Sequence, residues 1–194
     1  MKKFYGLRKI KTAVFISGKG SNLINLIKFS FLKKSPISVD LVISSNPKAK
    51  GLNFAKKYNI KNKVYTLYNK SKDENEIQKI LKKKDIGLIC LAGFMKILSK
   101  KFIKQFRGKI LNVHPSLLPK YKGLNTHRRA IENNEKFSGC TIHFVNSKLD
   151  SGKIILQKKV KISRFDTPNK LAKKILKQEH SLYPKAIKTL FSNL

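Results

Sequence analysis

Residues 111–123 read LNVHPSLLPKYKG, and this stretch decides how the rest of the chain is interpreted. It ends an apolar run, presents Asn112 and His114, and then meets Pro115. Proline cannot donate to a strand ladder and drives its neighbour toward extended geometry, so a strand should end here. Residues two apart on a strand face the same side, so Asn112 and His114 should point together. In an α/β fold the carboxyl end of a strand is where chemistry is placed.

The side chains of Asn112 and His114 suit acyl-transfer chemistry. An amide donor can stabilise a developing oxyanion, and a histidine can carry a proton near neutral pH. A lone histidine is more often a structural residue, so the motifs around this pair have to decide between the two interpretations.

Strand and helix patterns alternate along the first half of the chain. Short apolar runs predict strands at 11–17, 39–45, 63–67, 86–92 and 109–113. Apolar residues at helical spacing predict helices after Asn22 and at 49–58, 73–83 and 99–106, the last with Ser99 as a candidate N-cap. Up to residue 92 the order is βαβαβαβ, which predicts a parallel sheet with right-handed crossovers.

The second half of the chain begins with a short helix predicted at 127–132. Strand patterns at 139–145 and 154–160 flank a turn and predict an antiparallel pair. His143 lies on the first of these strands and is interpreted as structural. Thr167-Pro168 predicts the start of a last helix, which Tyr183-Pro184 should interrupt.

A glycine-containing turn, Gly18-Lys19-Gly20-Ser21-Asn22, joins the first strand to the first helix. Glycines let the backbone approach a ligand, and free N–H groups at a helix start favour an anion such as a phosphate. The turn matches neither the dinucleotide fingerprint nor the P-loop pattern. A plain turn with Ser21 or Asn22 as the N-cap is therefore an alternative.

Length and composition indicate one globular domain spanning residues 1–194. No apolar run approaches the roughly 20 residues of a membrane span. Residues 1–11 are predicted to be a loose basic arm and lack the apolar core of a signal peptide. Cys90 and Cys140 lie in apolar runs without zinc-site spacing, which predicts buried free thiols in a reducing cytoplasm.

The formal net charge of +34 invites a nucleic-acid interpretation. Nearly all of the basic residues are lysines, however, and they are spread along the whole chain. Base readout and stacking recruit arginines and aromatic residues at defined places. The pattern therefore favours a solvated basic surface, which attracts anionic small molecules and binds nucleic acid only non-specifically.

The stretch 111–123, together with LAGFMKIL at 91–98 and GLNTHRRA at 123–130, resembles the signature of the folate-dependent formyltransferases. The resemblance runs from about Thr12 to Pro184 and is to the branch that formylates glycinamide ribonucleotide in de novo purine biosynthesis. It implies a Rossmann-like, doubly wound α/β fold with a mostly parallel sheet and an antiparallel C-terminal strand pair. It also implies 10-formyltetrahydrofolate as the co-substrate and a reaction that needs no metal.

The resemblance also implies which residues act on the formyl group and hold the folate. Asn112 would stabilise the oxyanion, His114 would be the acid and base, and Asp150 would hold His114 in its protonated form. The folate-binding residues that it implies are Met95, Lys96, Ile97, Leu98, Asn112, Asn146, Ser147, Lys148, Leu149 and Asp150. By residue type alone, the segment 95–98 would be ordinary core.

The ribonucleotide side of the implied site comes from two segments. Gly20, Ser21 and Asn22 would bind the substrate phosphate, and Glu179 in QEHSLYP (178–184) would contact the glycinamide substrate. One departure concerns the folate: where some relatives carry arginine, this chain has Lys96, which lacks the planar fork for a bidentate contact.

Three alternatives stay open. A methionyl-tRNA formyltransferase-like catalytic domain would suit the charge, but the chain ends near residue 194, where a tRNA-binding domain would follow. A formyltetrahydrofolate hydrolase would carry a regulatory domain before the first strand, where only about eleven residues precede it. A non-catalytic basic nucleic-acid-binding protein would bind independently of His114. We expect a cytoplasmic monomer or weak homodimer with small-molecule substrates and no specific nucleic-acid or membrane partner.

Overall fold

The computed structural model describes residues 9–191, which form one seven-stranded sheet flanked by helices. The strands are β1 (Ile10–Ile16), β2 (Ile37–Ser44), β3 (Asn62–Val64), β4 (Leu88–Leu91), β5 (Lys109–His114), β6 (Phe137–Phe144) and β7 (Ile154–Lys161). The helices are α1 (Ser21–Phe31), α2 (Gly51–Lys57), α3 (Lys70–Lys83), α4 (Lys100–Gln105), α5 (Thr126–Glu132) and α6 (Pro168–Leu190).

The strand order across the sheet is β3-β2-β1-β4-β5-β6-β7. The first five strands pair in parallel, and the order reverses direction between β1 and β4, which is the switch point where doubly wound sheets bind ligands. β6 and β7 are antiparallel to each other, and β6 is also antiparallel to β5. The predicted doubly wound, mostly parallel sheet with an antiparallel C-terminal pair is confirmed.

Both faces of the central strands are buried, as in other parallel sheets covered by helices. On β1, Val14 and Ile16 pack into one apolar cluster, to which α1 and α6 contribute. Ala13 and Phe15 face the opposite cluster, to which α3 and α4 contribute. This packing explains why the first strand reads as an almost continuous apolar run.

The ends of several elements differ from prediction by a few residues. β1 begins at Ile10, so the predicted basic arm does not include Ile10 and Lys11, while residues 1–8 lie outside the described residues. α3 begins at Lys70, earlier than predicted, because the Asn69 side chain accepts the Lys72 N–H and caps the helix. The predicted cap of α4 is confirmed, since the Ser99 side chain accepts the Phe102 N–H.

The predicted interruption of the last helix at Tyr183-Pro184 is wrong. α6 runs from Pro168 to Leu190 with Pro184 inside it. Apolar residues on both sides of the proline are fully buried, among them Ile175 and Ile187. Tertiary packing of this long apolar stripe therefore outweighs the one helical hydrogen bond that proline removes. Among residues 9–191, no helix is long and apolar enough to cross a membrane.

Candidate active site

Three segments meet at the end of β5. The strand ends at His114, directly before Pro115, as predicted. Antiparallel pairing places His143 of β6 opposite Asn112. The loop between β6 and β7 carries Asp150, whose side chain lies against both β5 residues and is only 8% exposed. The structure therefore brings the three predicted catalytic residues together and adds a second histidine to them.

His114 lies between two acceptor oxygens and is buried. Its Nε2 is 2.8 Å from the backbone carbonyl oxygen of Tyr121, and its Nδ1 is 3.4 Å from Oδ2 of Asp150. The same carboxylate oxygen accepts the Gly123 N–H at 2.9 Å, which fixes its position. Both ring nitrogens face oxygen acceptors, and the carboxylate beside Nδ1 favours the imidazolium form of the ring.

Asn112 takes its orientation from His143. Burial lowers the pKa of His143, which favours the neutral ring, and its Nδ1 lies 2.8 Å from the Phe144 carbonyl oxygen. With the proton on Nδ1, Nε2 accepts a hydrogen bond from Asn112 Nδ2 at 3.2 Å. The amide of Asn112 therefore directs its NH₂ group toward Asp150, whose Oδ1 is 3.5 Å away. One hydrogen of this NH₂ group faces His143, and the other faces the site, where it could be donated to an oxyanion.

The structural interpretation of His143 missed this role. The available signal was the register of the predicted strands, because an antiparallel neighbour of β5 must place some residue opposite Asn112. Burial lowers the pKa of His127 on α5, and interaction with His114 lowers it further. The Nδ1 of His127 is buried without a hydrogen-bond partner among residues 9–191.

The turn before α1 has the properties of an anion site. Gly20 has φ 79°, a left-handed conformation, and a Cβ there would lie 2.5 Å from the Cα of Gly51 on α2. No side chain caps the helix, and no acidic residue lies in its first turn. The alternative of a side-chain cap by Ser21 or Asn22 is therefore wrong, and the N–H groups at the helix start stay available for a phosphate.

Asn22 and Glu179 form a buried pair that links this turn to α6. Asn22 Nδ2 donates to Oε2 of Glu179 at 2.7 Å, and both side chains are buried. Burial raises the pKa of Glu179, although the hydrogen bond from Asn22 works against that shift. Within residues 9–191, Oδ1 of Asn22 has no hydrogen-bond partner. The two predicted substrate-binding residues are therefore in direct contact across 157 residues of sequence.

Besides Asn112 of β5, the predicted folate-binding residues fall into two segments. After β4, Met95 and Ile97 are 65% and 63% exposed, whereas the side chain of Leu98 is buried in the core cluster with Phe102. Lys96 places its Nζ 5.5 Å from the centre of the exposed Tyr68 ring. The second segment, residues 146–149, is exposed and leads directly to Asp150. Apart from Leu98, the residues of these two segments before Asp150 are exposed.

The sequence matches the formyl transferase family over residues 10–187. It is 44% identical to phosphoribosylglycinamide formyltransferase of Haemophilus influenzae over 181 residues, which are 92% of this chain and 85% of that protein. It is also 40% identical to the human trifunctional purine biosynthetic protein adenosine-3 over 188 residues, 95% of this chain. The chain spans only 19% of the length of that human relative.

Solved structures of phosphoribosylglycinamide formyltransferases are similar to this chain in fold and in sequence. A crystal structure of phosphoribosylglycinamide formyltransferase from Anaplasma phagocytophilum superposes with a TM-score of 0.90 at 42% identity, covering 96% of this chain and 88% of that one. The enzyme of the same name from Brucella melitensis superposes with a TM-score of 0.90 at 37% identity, covering 96% and 98%.

Proposed function

Since the chain belongs to the formyl transferase family, we propose that it transfers the formyl group of 10-formyltetrahydrofolate to the amine of glycinamide ribonucleotide, a step of de novo purine biosynthesis. Relatives named for that reaction match nearly the whole chain, such as the Haemophilus protein. The observation that carries the proposal is the convergence of Asn112, His114 and Asp150 at the buried end of β5.

The reaction forms one C–N bond and breaks another. The substrate amine attacks the formyl carbon, and the carbonyl oxygen becomes an oxyanion in a tetrahedral intermediate. Asn112 and His114 stabilise that oxyanion by donating hydrogen bonds. The proton lost by the amine reaches the folate nitrogen through His114, after which the bond between that nitrogen and the formyl carbon breaks. Asp150 stabilises the imidazolium form on which this transfer depends.

The remaining part of the rate enhancement comes from holding the two substrates side by side. The uncapped start of α1, with Gly20, Ser21 and Asn22, binds the phosphate of the ribonucleotide. Glu179, held by Asn22, contacts its glycinamide part. The exposed Met95 and Ile97 and the segment 146–149 bind the folate, and Lys96 offers it a point charge.

The site favours glycinamide ribonucleotide over initiator tRNA as the acceptor. Gly51 of α2 packs directly against Gly20, so the turn before α1 is compact, which suits one small anion such as a phosphate. We further propose a cytoplasmic location, because buried free thiols such as Cys90 and Cys140 suit a reducing compartment.

The test is formyl transfer from 10-formyltetrahydrofolate to glycinamide ribonucleotide, measured for the wild type and three variants. His114→Ala and Asp150→Ala should lose most of kcat while the KM of both substrates changes little. Asn112→Ala should lower kcat by roughly 10²–10³, as expected for loss of an oxyanion donor. Formylation of charged initiator tRNA in place of the ribonucleotide would contradict the proposed substrate. Near-normal turnover in any variant would contradict the role of that residue.

A further inference from the structure

The two ring nitrogens of His114 have different surroundings. Nε2 lies 2.8 Å from the Tyr121 carbonyl oxygen, which is an ordinary hydrogen-bond distance. Nδ1 lies 3.4 Å from Asp150 Oδ2, which is longer than ordinary N–H···O bonds. The backbone therefore holds Nε2 firmly, while Nδ1 has only a loose partner.

Nδ1 also lies on the side of the ring where the other catalytic groups are. It faces Asp150, and Asp150 Oδ1 is in turn 3.5 Å from Asn112 Nδ2. Nε2 points instead into the loop after β5, where the Ser116 hydroxyl lies 3.4 Å from the same Tyr121 oxygen. A proton that moves between substrates near Asn112 is therefore within reach of Nδ1 and not of Nε2.

Tyr121 holds its carbonyl in place through its own side chain. Its backbone has φ 55°, a left-handed conformation that bulky residues avoid unless their surroundings enforce it. The hydroxyl donates to Glu135 Oε1 at 2.9 Å and accepts from Asn133 Nδ2 at 3.0 Å. The Arg129 guanidinium lies 5.1 Å from the ring centre. These contacts tie the loop to the end of α5.

We propose that Nδ1 is the nitrogen of His114 that transfers the proton, and that Tyr121 is the positioning residue that leaves it free. The Tyr121 carbonyl keeps the other proton on Nε2, and the Tyr121–Glu135 hydrogen bond keeps that carbonyl in place. Protonated His114 then gives its Nδ1 proton to the leaving folate nitrogen, becomes the neutral Nε2–H tautomer, and takes the proton of the attacking amine back on the same Nδ1. The inference rests on the proposed function, because it assumes that His114 transfers a proton.

The alternative is that Asp150, and not Tyr121, orients His114, which predicts the other tautomer. Where a carboxylate orients a histidine, it usually keeps a proton on the nitrogen facing it and leaves the other nitrogen to react. Here that would place the proton of neutral His114 on Nδ1 and make Nε2 reactive. The distances of 2.8 and 3.4 Å favour Tyr121 over Asp150 as the orienting group.

The first experiment is ¹⁵N NMR of the imidazole of His114 in the wild-type chain without substrates, at a pH where the ring is neutral. We expect the Nε2–H tautomer. The Nδ1–H tautomer in an enzyme that transfers formyl groups would overturn the inference and leave the proposed function intact. Absence of formyl transfer in the wild type would instead contradict the proposed function itself.

The second experiment compares variants of the tether. Tyr121→Phe and Glu135→Ala both remove the hydrogen bond and should lower kcat by roughly tenfold to a hundredfold, with unchanged KM values, because a small misplacement of a catalytic group is costly. Glu135→Gln keeps an acceptor for Tyr121 and should retain most of kcat. Lys120→Met is the matched control, because it removes only the other partner of Glu135, an ion pair at 2.7 Å.

Each variant is checked for its folded state by thermal denaturation before kinetics. Wild-type kcat in folded Tyr121→Phe would overturn the inference. Should that variant fail to fold, the difference between Glu135→Ala and Glu135→Gln decides, because equal kcat values in those two would overturn it as well.

Discussion

The turn that carries Asp150 has no room for a side chain at Gly152. A Cβ at that position would lie 1.7 Å from the Phe144 carbonyl oxygen and 2.7 Å from its carbonyl carbon. Real Cβ atoms essentially never come closer than 3.0 Å to another heavy atom. In Gly152→Ala, one of the two backbone segments must therefore move by at least about 1.3 Å, the difference between the closest contact and that limit.

Movement of either segment disturbs the active site. Phe144 holds His143 through the carbonyl that the new Cβ would strike, and His143 orients Asn112. Asp150 is only two residues from Gly152. A displacement of about 1 Å near a reacting group can lower the rate by about 10²-fold, so we expect a loss of that size in kcat. The clash itself should lower the free energy of unfolding by about 1–3 kcal/mol.

The assay is formyl transfer under saturating substrates, with thermal denaturation beside it. Gly108→Ala is the matched control, because its Cβ would meet the Gly87 carbonyl oxygen at 2.2 Å, a comparable clash at the opposite end of β5. It should lose stability to a similar degree and keep kcat near the wild-type value. Wild-type kcat in folded Gly152→Ala, or an equal loss in both variants, would refute the reasoning.

Three further predictions concern single groups. His143→Ala should lower kcat by up to roughly 10²-fold, because the variant loses the ring that orients the Asn112 amide but keeps the amide itself. A loss larger than that expected for an oxyanion donor would contradict this role of His143. Burial raises the pKa of Glu179 above its ordinary value of 4.5. The folded protein should therefore lose stability as the pH rises from 4.5 through the raised pKa. In Glu179→Gln, pH-dependent thermal denaturation should show that fall removed, while the KM for the ribonucleotide rises. Burial raises the pKa of Cys90 and Cys140 to about 12, so a thiol reagent should label neither in the folded protein at about pH 8 and both after denaturation.

The fold was predictable because its strong local signals agree with its tertiary structure. β5 ends directly before Pro115, because proline has no N–H to continue the strand ladder. The apolar runs of the first half correspond to central strands that are buried on both faces. Pro184 shows the limit of such signals. Its local effect opposes a helix, and the apolar residues that keep α6 intact act only through their packing partners elsewhere in the chain.

The sequence predicted three residues that lie together at the candidate site, but it predicted neither the contacts of His143 and Tyr121 nor the geometry. The sequence pattern placed Asn112 and His114 on one face of a strand, and the resemblance added Asp150. Neither source says that His114 Nε2 meets a backbone carbonyl, because a carbonyl belongs to every residue and leaves no mark in the sequence. The part of Tyr121 that touches His114 is for this reason invisible to motif reasoning.

The antiparallel strand β6 and the loop after it bring further side chains to Asn112 and His114. β6 runs opposite to β5, so its last residue lies toward the start of β5, with Phe144 paired to Leu111. Because β6 runs the other way, its residue His143 comes to lie opposite Asn112, and the loop that follows β6 turns back to bring Asp150 to His114. The register of β6 and the return of the loop after it therefore let a carboxylate 36 residues further along the chain complete a pair that lies only two residues apart.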